Sequence, residues 1–281
     1  ESSAASDVYK RQEESCFGEK TLLIIGGLPY NLRMDNALKS LRIIHKLKGL
    51  AIVAEINSSL AAYADLTTGD LEKAILAGIN PDLIPDTVIL MGGALVSGHI
   101  KKWLRELPES THFINVGHDD TIVDTFGHLD YVFDCQPEKF IHTLDEVIPE
   151  TNYVDRMSAL RQRPSHPLFA TLGEAIDRRH INLHLSNGTT VRRAASLRLP
   201  HARVWCNRGV SGIDGSTSTA VGTSIVSRRP TLLVTGDMSA AYDISALSNP
   251  DIPPAFKMII RANGGGDIFR RIAATRHLDI V

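Results

Sequence analysis

The sequence has few of the features that mark secreted, membrane-spanning or nucleic-acid-binding proteins. Its 281 residues include three cysteines, Cys16, Cys135 and Cys206, too widely spaced for a CxxC metal site or a disulfide framework. No apolar run approaches the roughly 18–20 residues that cross a bilayer, and the first residues lack the pattern of a secretion signal. With 30 basic and 32 acidic residues, the chain has no excess of positive charge for binding nucleic acid. We therefore expect a cytoplasmic protein that binds neither membrane nor nucleic acid.

The sequence has the composition of a globular protein and the alternating strand and helix patterns of an α/β fold. Hydrophobic residues make up 43% of the chain and charged residues 22%, close to the globular average. Short apolar runs alternate with stretches of helical spacing, which predicts parallel sheets with right-handed crossovers. We therefore predict an α/β fold with two parallel-sheet Rossmann-like domains.

The chain divides by composition into four segments. Residues 1–16 are polar and predict a disordered tail, residues 17–147 the first Rossmann-like domain, and residues 167–281 the second. Residues 148–166 are polar and proline-containing, which is typical of a linker. The predicted strands are residues 21–26, 50–56, 87–91, 112–116, 131–133, 181–185, 203–206, 231–235 and 256–261. The predicted helices are residues 36–47, 70–77, 100–107, 138–147, 168–178, 191–197, 216–226 and 240–247.

Polar and glycine-rich residues follow the strands of the second half. Ligands of open parallel sheets bind beyond the carboxyl ends of the strands, so the site is expected there. Asp237 and Asn263 each end a strand, and the two strands are joined by one crossover. If these strands are neighbours, the two side chains lie side by side and suit Mg²⁺, with Ser239 near a phosphate. The alternative is that Asp237 caps a helix and Asn263 turns the chain.

Arginines near two strand ends suit an acidic substrate. Arg192 starts a helix, where a cation is disfavoured unless it faces an anion, and Arg208 lies in a turn. The other arginines of the region are interpreted as a solvated basic face. Ile213 lies between two glycines, where it either presses on a bound ring or fills a buried turn.

Several strings of residues resemble one enzyme family. Residues 207–215, Asn-Arg-Gly-Val-Ser-Gly-Ile-Asp-Gly, are followed by Ser218-Thr219-Ala220, then by Gly236-Asp237-Met238-Ser239 and Tyr242-Asp243. Asn263-Gly264-Gly265-Gly266 and Ile268-Phe269 complete the pattern in the same order. Together they resemble the 2-succinyl-5-enolpyruvyl-6-hydroxy-3-cyclohexene-1-carboxylate synthases, thiamine-diphosphate-dependent transferases of menaquinone biosynthesis.

The resemblance implies a cofactor site. Thiamine diphosphate would be bound with Mg²⁺ or Mn²⁺, and the metal would be held by Asp237, Asn263 and the carbonyl of Gly265. Ile213 would keep the cofactor in its bent shape and so count among the catalytic residues. The remaining residues implied at the cofactor are Gly236, Met238, Ser239, Ser211 and Gly212.

The resemblance also implies a reaction. The enzyme would decarboxylate 2-oxoglutarate and add the succinyl-semialdehyde carbanion to isochorismate. Arg192 and Arg208, as catalytic and substrate residues, would bind carboxylates together with Asn187. Ile268, Phe269 and Ile272 would line the pocket. Homodimers or homotetramers are implied for the full-length enzyme.

The chain departs from the family pattern in places. Ala262 replaces the first asparagine of an Asn-Asn pair, and Gly188 stands where a serine is expected. Nothing before residue 17 resembles the pyrimidine-binding domain, whose glutamate activates the cofactor. We therefore expect a fragment that lacks this domain, is truncated in its diphosphate-binding domain, and is inactive alone.

Two other functions stay open at this point. Another thiamine-diphosphate enzyme, such as an acetolactate synthase or a 2-oxoacid decarboxylase, would have the same fold, but it has less need for Arg192 and Arg208. A Rossmann-type nucleotide-binding module predicts GxGxxG after the first strand. Residues 26–29, Gly-Gly-Leu-Pro, do not supply that pattern.

Overall fold

The structure is a computed structural model that divides into two compact units, separated between Gln162 and Arg163. It describes residues 17–28, 50–58, 60–93, 95–117, 124–164, 166–209, 211–266, 269, 275 and 277. The predicted tail at residues 1–16 and the predicted helix at residues 36–47 lie outside this set. Among the described residues, no helix is both long and apolar enough to cross a membrane.

Unit 1 is built on a six-stranded parallel sheet. Its strands are β1 (Thr21–Ile25), β2 (Ala51–Ala54), β3 (Leu66–Thr67), β4 (Thr87–Met91), β5 (His112–Gly117) and β6 (Leu129–Asp134). Its helices are α1 (Thr68–Leu76), α2 (Gly98–Arg105), α3 (Pro137–Val147) and α4 (Tyr153–Ser158), with 3₁₀ turns at Ile56–Ser58 and Pro81–Leu83. The strand order β3-β2-β1-β4-β5-β6 is the Rossmann order, which confirms the predicted fold class for this unit.

The central strands of this sheet are buried on both faces, and successive side chains of each strand point to opposite sides. In β1, Leu23 and Ile25 pack on the face that α3 covers, whereas Leu22 and Ile24 pack on the face of α1 and α2. A strand that is apolar at every position therefore fits only the centre of such a sheet.

Helix α4 lies within residues 148–166, the segment predicted as a linker. Tyr153 and Met157 belong to the core of unit 1, and the Tyr153 hydroxyl donates to the Leu83 carbonyl at 2.9 Å. Burial raises the pKa of Tyr153 well above its usual range. This part of the segment is thus packed structure, because the two apolar residues on one helix face outweigh its polar composition.

The glycine-rich segments that follow β1 and β4 are joined by backbone hydrogen bonds. Gly26 N–H donates to the Met91 carbonyl and Gly93 N–H donates to the Gly27 carbonyl, both at 2.8 Å. A Cβ on Gly26 would lie 1.8 Å from the Gly93 oxygen, so only glycine fits there. The two loops are therefore hydrogen-bonded to each other beyond the strand ends, and neither carries the GxGxxG pattern on which the nucleotide-binding alternative depends.

Unit 2 contains a four-stranded parallel sheet in the order β10-β9-β7-β8. Its strands are β7 (Asn182–Leu185), β8 (Arg203–Trp205), β9 (Thr231–Gly236) and β10 (Phe256–Arg261). Its helices are α5 (Pro167–Ile176), α6 (Thr189–Ala194), α7 (Ser216–Val226) and α8 (Asp237–Tyr242), followed by a 3₁₀ helix at Ile244–Ser248. The predicted helix over residues 240–247 is therefore two shorter elements. A second parallel α/β sheet confirms the predicted fold class.

Candidate active site

The carboxyl ends of β9 and β10 bring Asp237 and the Asn263 loop together. The two strands are hydrogen-bonded neighbours, with Arg261 opposite Gly236. Asp237 Oδ2 accepts the backbone N–H groups of Asn263 and Gly265, each at 3.0 Å, and Oδ1 accepts that of Met238 at 2.9 Å. The predicted pair thus lies at one edge of the sheet, although the two residues are far apart in sequence.

The loop keeps Asp237 charged. Burial opposes ionisation, but the backbone N–H groups of Gly265, Asn263, Met238 and Gly264 together lower the pKa of the carboxyl. Gly264 and Gly265 have φ of 76° and 87°, left-handed values that favour glycine. This glycine pair lets the loop turn its N–H groups onto the carboxylate.

The Asn263 side chain lies against the same carboxylate. In the orientation that satisfies both groups, its amide nitrogen donates to Asp237 Oδ1 at 3.0 Å and Oδ2 at 3.2 Å. A cation between them would require the amide oxygen instead. The described residues contain no group of three His, Cys, Asp or Glu side chains placed to hold a metal ion. The donors here, one carboxylate with amide and carbonyl oxygens, fit a hard cation that also takes water and phosphate oxygens.

Side chains from several strand ends clamp the Ile213 loop. Ser239 Oγ–H donates to the Ile213 carbonyl at 2.6 Å, so this hydroxyl, expected at a phosphate, is used within the protein. Asn207 Nδ2 donates to the Gly215 carbonyl at 3.0 Å. Ser211 is exposed and adopts a left-handed φ of 60°. Ile213 is therefore held through its backbone at a fixed place beside the Asp237 strand end.

Arg208 donates to Asn187 and has one buried donor atom that no described residue accepts from. Its Nη1 donates to Asn187 Oδ1 at 3.0 Å, while its Nε is buried and has no hydrogen-bond partner among the described residues. An unsatisfied buried donor is costly, and a carboxylate ligand would relieve that cost with two-point geometry. The position is consistent with an anion-binding role.

Arg192 reaches back to its own turn. Its Nη1 donates to the Gly188 carbonyl at 2.7 Å, and Gly188 has a φ of 90°. This left-handed conformation accounts for glycine where a serine was expected. Arg261, which the sequence analysis did not single out, donates to Thr189 Oγ1 at 3.1 Å and so links the end of β10 to the same turn.

The other residues predicted at the site have fewer contacts with Asp237 and its loop. Gly236 ends β9, Met238 is exposed and Gly212 lies in the clamped loop. Phe269 is 44% exposed, and its N–H donates to the Gly266 carbonyl at 2.8 Å. Ile268 and Ile272 lie outside the described residues.

One supporting residue was missed by sequence reasoning. Asp243 is buried and accepts both the N–H and the hydroxyl of Ser218, at 2.7 and 2.9 Å, which fixes the first turn of α7. Tyr242-Asp243 belongs to the family pattern, but Ser218, the residue that Asp243 contacts, lies 25 residues away along the chain. No local pattern identifies it.

The fold and these contacts define a parallel α/β protein with a candidate site at the carboxyl edge of its second sheet. Comparison with known sequences gives the particular family. The chain is 33% identical over 277 residues to a 2-succinyl-5-enolpyruvyl-6-hydroxy-3-cyclohexene-1-carboxylate synthase of Flavobacterium johnsoniae, covering 90% of this chain and 48% of the relative. It is 34% identical to the synthase of Flavobacterium psychrophilum, with the same coverage of both chains.

A third relative covers a shorter stretch. The protein of the same name from Bacteroides fragilis is 35% identical over 214 residues, covering 71% of this chain and 38% of the relative. No family model matches the chain. The chain belongs to the family of these synthases and spans about half the length of the curated relatives it matches.

Proposed function

We propose that this chain forms part of a thiamine-diphosphate-dependent synthase that decarboxylates 2-oxoglutarate and joins the remaining four-carbon unit to isochorismate. The observation that carries the proposal is the contact of Asp237 with the Asn263–Gly265 loop at neighbouring strand ends. The names of its relatives give the product, and the family resemblance implies the two substrates and the cofactor.

The cofactor and metal fit the residues present. Asp237, Asn263 and the Gly265 carbonyl would hold Mg²⁺ or Mn²⁺, which needs oxygen donors and accepts diphosphate oxygens. When bound, thiamine diphosphate supplies the electron sink for the decarboxylation. The charged state of Asp237, maintained by the loop N–H groups, provides the negative charge that a divalent cation requires.

The substrates fit the two arginines. 2-Oxoglutarate and isochorismate are carboxylates, and the Nε of Arg208 is buried and has no hydrogen-bond partner among the described residues. Arg192 would bind the other substrate from the turn at Gly188. The synthase would bind more carboxylate groups than an acetolactate synthase or a 2-oxoacid decarboxylase does, so two arginines near the strand ends support it over these alternatives.

The proposal includes assembly and location. We propose a cytoplasmic homodimer or homotetramer for the full-length enzyme. Four apolar side chains of one segment support association with another chain, since they are between 38% and 66% exposed: Met238, Tyr242, Ile244 and Leu247. Sedimentation of the enzyme would measure the assembly.

Calorimetric titration with thiamine diphosphate, with and without Mg²⁺, tests the site. We expect Asp237→Asn to weaken Mg²⁺-dependent binding by at least about tenfold, because the carboxylate supplies the charged ligand. Asp251→Asn is the matched control, since Asp251 is an exposed turn residue of the same unit. The proposal would be contradicted if the parent protein and both variants bound thiamine diphosphate equally well. Binding that does not depend on Mg²⁺ would contradict it too.

A further inference from the structure

Asn187 is buried at the end of β7 and uses all of its hydrogen-bonding positions within the protein. Its exposed fraction is 5%. Its Nδ2 donates to the carbonyl oxygens of Asn207 and Gly212, the second at 2.6 Å. Its Oδ1 accepts from Arg208 Nη1 at 3.0 Å and from the Cys206 thiol at 3.5 Å. A carboxamide has two donor hydrogens and two acceptor lone pairs, so none is left for a substrate.

These contacts connect the turn after β7 to the stretch between Cys206 and Gly212. The end of β7 is joined to the end of β8 through Asn207, to the guanidinium through Arg208, and to the Ile213 loop through Gly212. The partners lie 19 to 25 residues from Asn187 along the chain. The side chain therefore couples the orientation of Arg208 to the position of the loop that carries Ile213.

We propose that Asn187 is a positioning residue, which fixes Arg208 and the Ile213 loop relative to each other and does not itself contact substrate. This assigns to Asn187 a different role from the substrate contact that the family resemblance implied. The consequence for catalysis rests on the proposed function, whereas the positioning of the loop does not.

Only a carboxamide meets the requirements of this position. An aspartate would keep the acceptor for Arg208 but would face the carbonyl oxygens of Asn207 and Gly212 without a donor. It would also add a negative charge beside the guanidinium and compete with an anionic ligand. A leucine of similar size would remove both kinds of contact.

Hydrogen exchange measured by mass spectrometry on the whole chain tests the positioning. We expect Asn187→Leu and Asn187→Asp to raise exchange across residues 207–215 by about tenfold or more, because the loop loses two carbonyl contacts. Asn182→Leu is the matched control. Asn182 is a buried asparagine of β7 whose Nδ2 donates to Ser227 at 2.9 Å, away from the loop. Unchanged exchange across the loop in both Asn187 variants overturns the proposal.

Titration with 2-oxoglutarate separates this proposal from the proposed function. We expect Asn187→Asp to weaken binding by at least about tenfold, and more than Asn187→Leu does, since only the aspartate neutralises Arg208. Weaker binding by Asn187→Leu with unchanged loop exchange would show direct substrate contact and overturn the positioning role. Raised loop exchange with unchanged 2-oxoglutarate affinity would support that role and contradict the proposed function of Arg208.

Discussion

In unit 1 the buried carboxylates of Glu55, Asp65 and Asp70 all accept hydrogen bonds from their own unit. Glu55 is fully buried, and its two oxygens accept the Val96 N–H at 2.6 Å and the Thr68 hydroxyl at 2.9 Å. Asp65 accepts the Ile52 N–H at 2.7 Å, and Asp70 accepts three donors, including the Gln162 N–H at 3.0 Å.

Unit 2 leaves buried polar atoms unused near its site. Arg208 Nε and the hydroxyls of Ser216 and Thr217 are buried and have no hydrogen-bond partner among the described residues. In unit 1, Asn57 Oδ1 is a comparable atom. Native proteins satisfy most buried polar groups, so a concentration of unused ones beside a strand edge is typical of a binding site. The comparison teaches that the buried carboxylates of unit 1 serve its stability, whereas under the proposed function some buried polar atoms of unit 2 would serve a ligand.

The largest change in the free energy of unfolding is expected from a substitution of Glu55 in unit 1. Glu55→Leu leaves the Val96 N–H and the Thr68 hydroxyl buried without an acceptor, which should lower the free energy of unfolding of unit 1 by about 3 kcal/mol. Since the chain has two tryptophans, Trp103 reports on unit 1 in a Trp205→Phe background during urea unfolding. Glu106→Gln, at an exposed position, is the control and should change nothing measurable. A loss below about 1 kcal/mol for Glu55→Leu would remove this contrast between the units.

A smaller effect is expected from His184 in unit 2. It is buried beside Trp205, with ring centroids 6.2 Å apart, and burial lowers its pKa to about 4. Because the unfolded chain takes up this proton near pH 6.5, the stabilising contribution is complete above that pH and is lost as the pH falls towards 4. Between pH 7.5 and 5.5 this group should cost about 1.4 kcal/mol of stability.

His184→Phe keeps an aromatic ring beside Trp205 but cannot titrate. In a Trp103→Phe background, the fluorescence of Trp205 would follow the unfolding of unit 2 at both pH values. We expect the variant to lose about 1.4 kcal/mol less than the parent over this pH range. The same pH dependence in both proteins would show that His184 is not the group responsible.

The smallest effect is expected at Arg208. Arg208→Met removes the buried Nε, which has no hydrogen-bond partner among the described residues, together with one hydrogen bond to Asn187. These two effects oppose each other, so the free energy of unfolding of unit 2 should change by no more than about 1 kcal/mol. The measurement is urea unfolding followed by Trp205, with Arg228→Met at an exposed position as control. Destabilisation by more than about 2 kcal/mol would show that Arg208 serves the fold and would break the comparison between the units.

Local sequence patterns predicted the central strands well because an apolar run bounded by glycines fits a buried parallel strand. They also predicted that Asp237 and Asn263 meet, since parallel strands end at one edge. The same patterns missed β3, which has two residues, and helix α4 inside the expected linker. Such short elements form because neighbouring strands and helices bury them, and that information is not local.

The sequence by itself determined two parallel α/β sheets, the family, and a candidate site after the strands of the second half. Only the tertiary structure decided which of the candidate side chains already form their hydrogen bonds with other parts of the protein. Asn187 and Ser239 have residue types that suit a substrate or a phosphate, yet their hydrogen bonds go to loop carbonyls. Residue type specifies which hydrogen bonds are possible, but the crossing of distant segments specifies which of them are made.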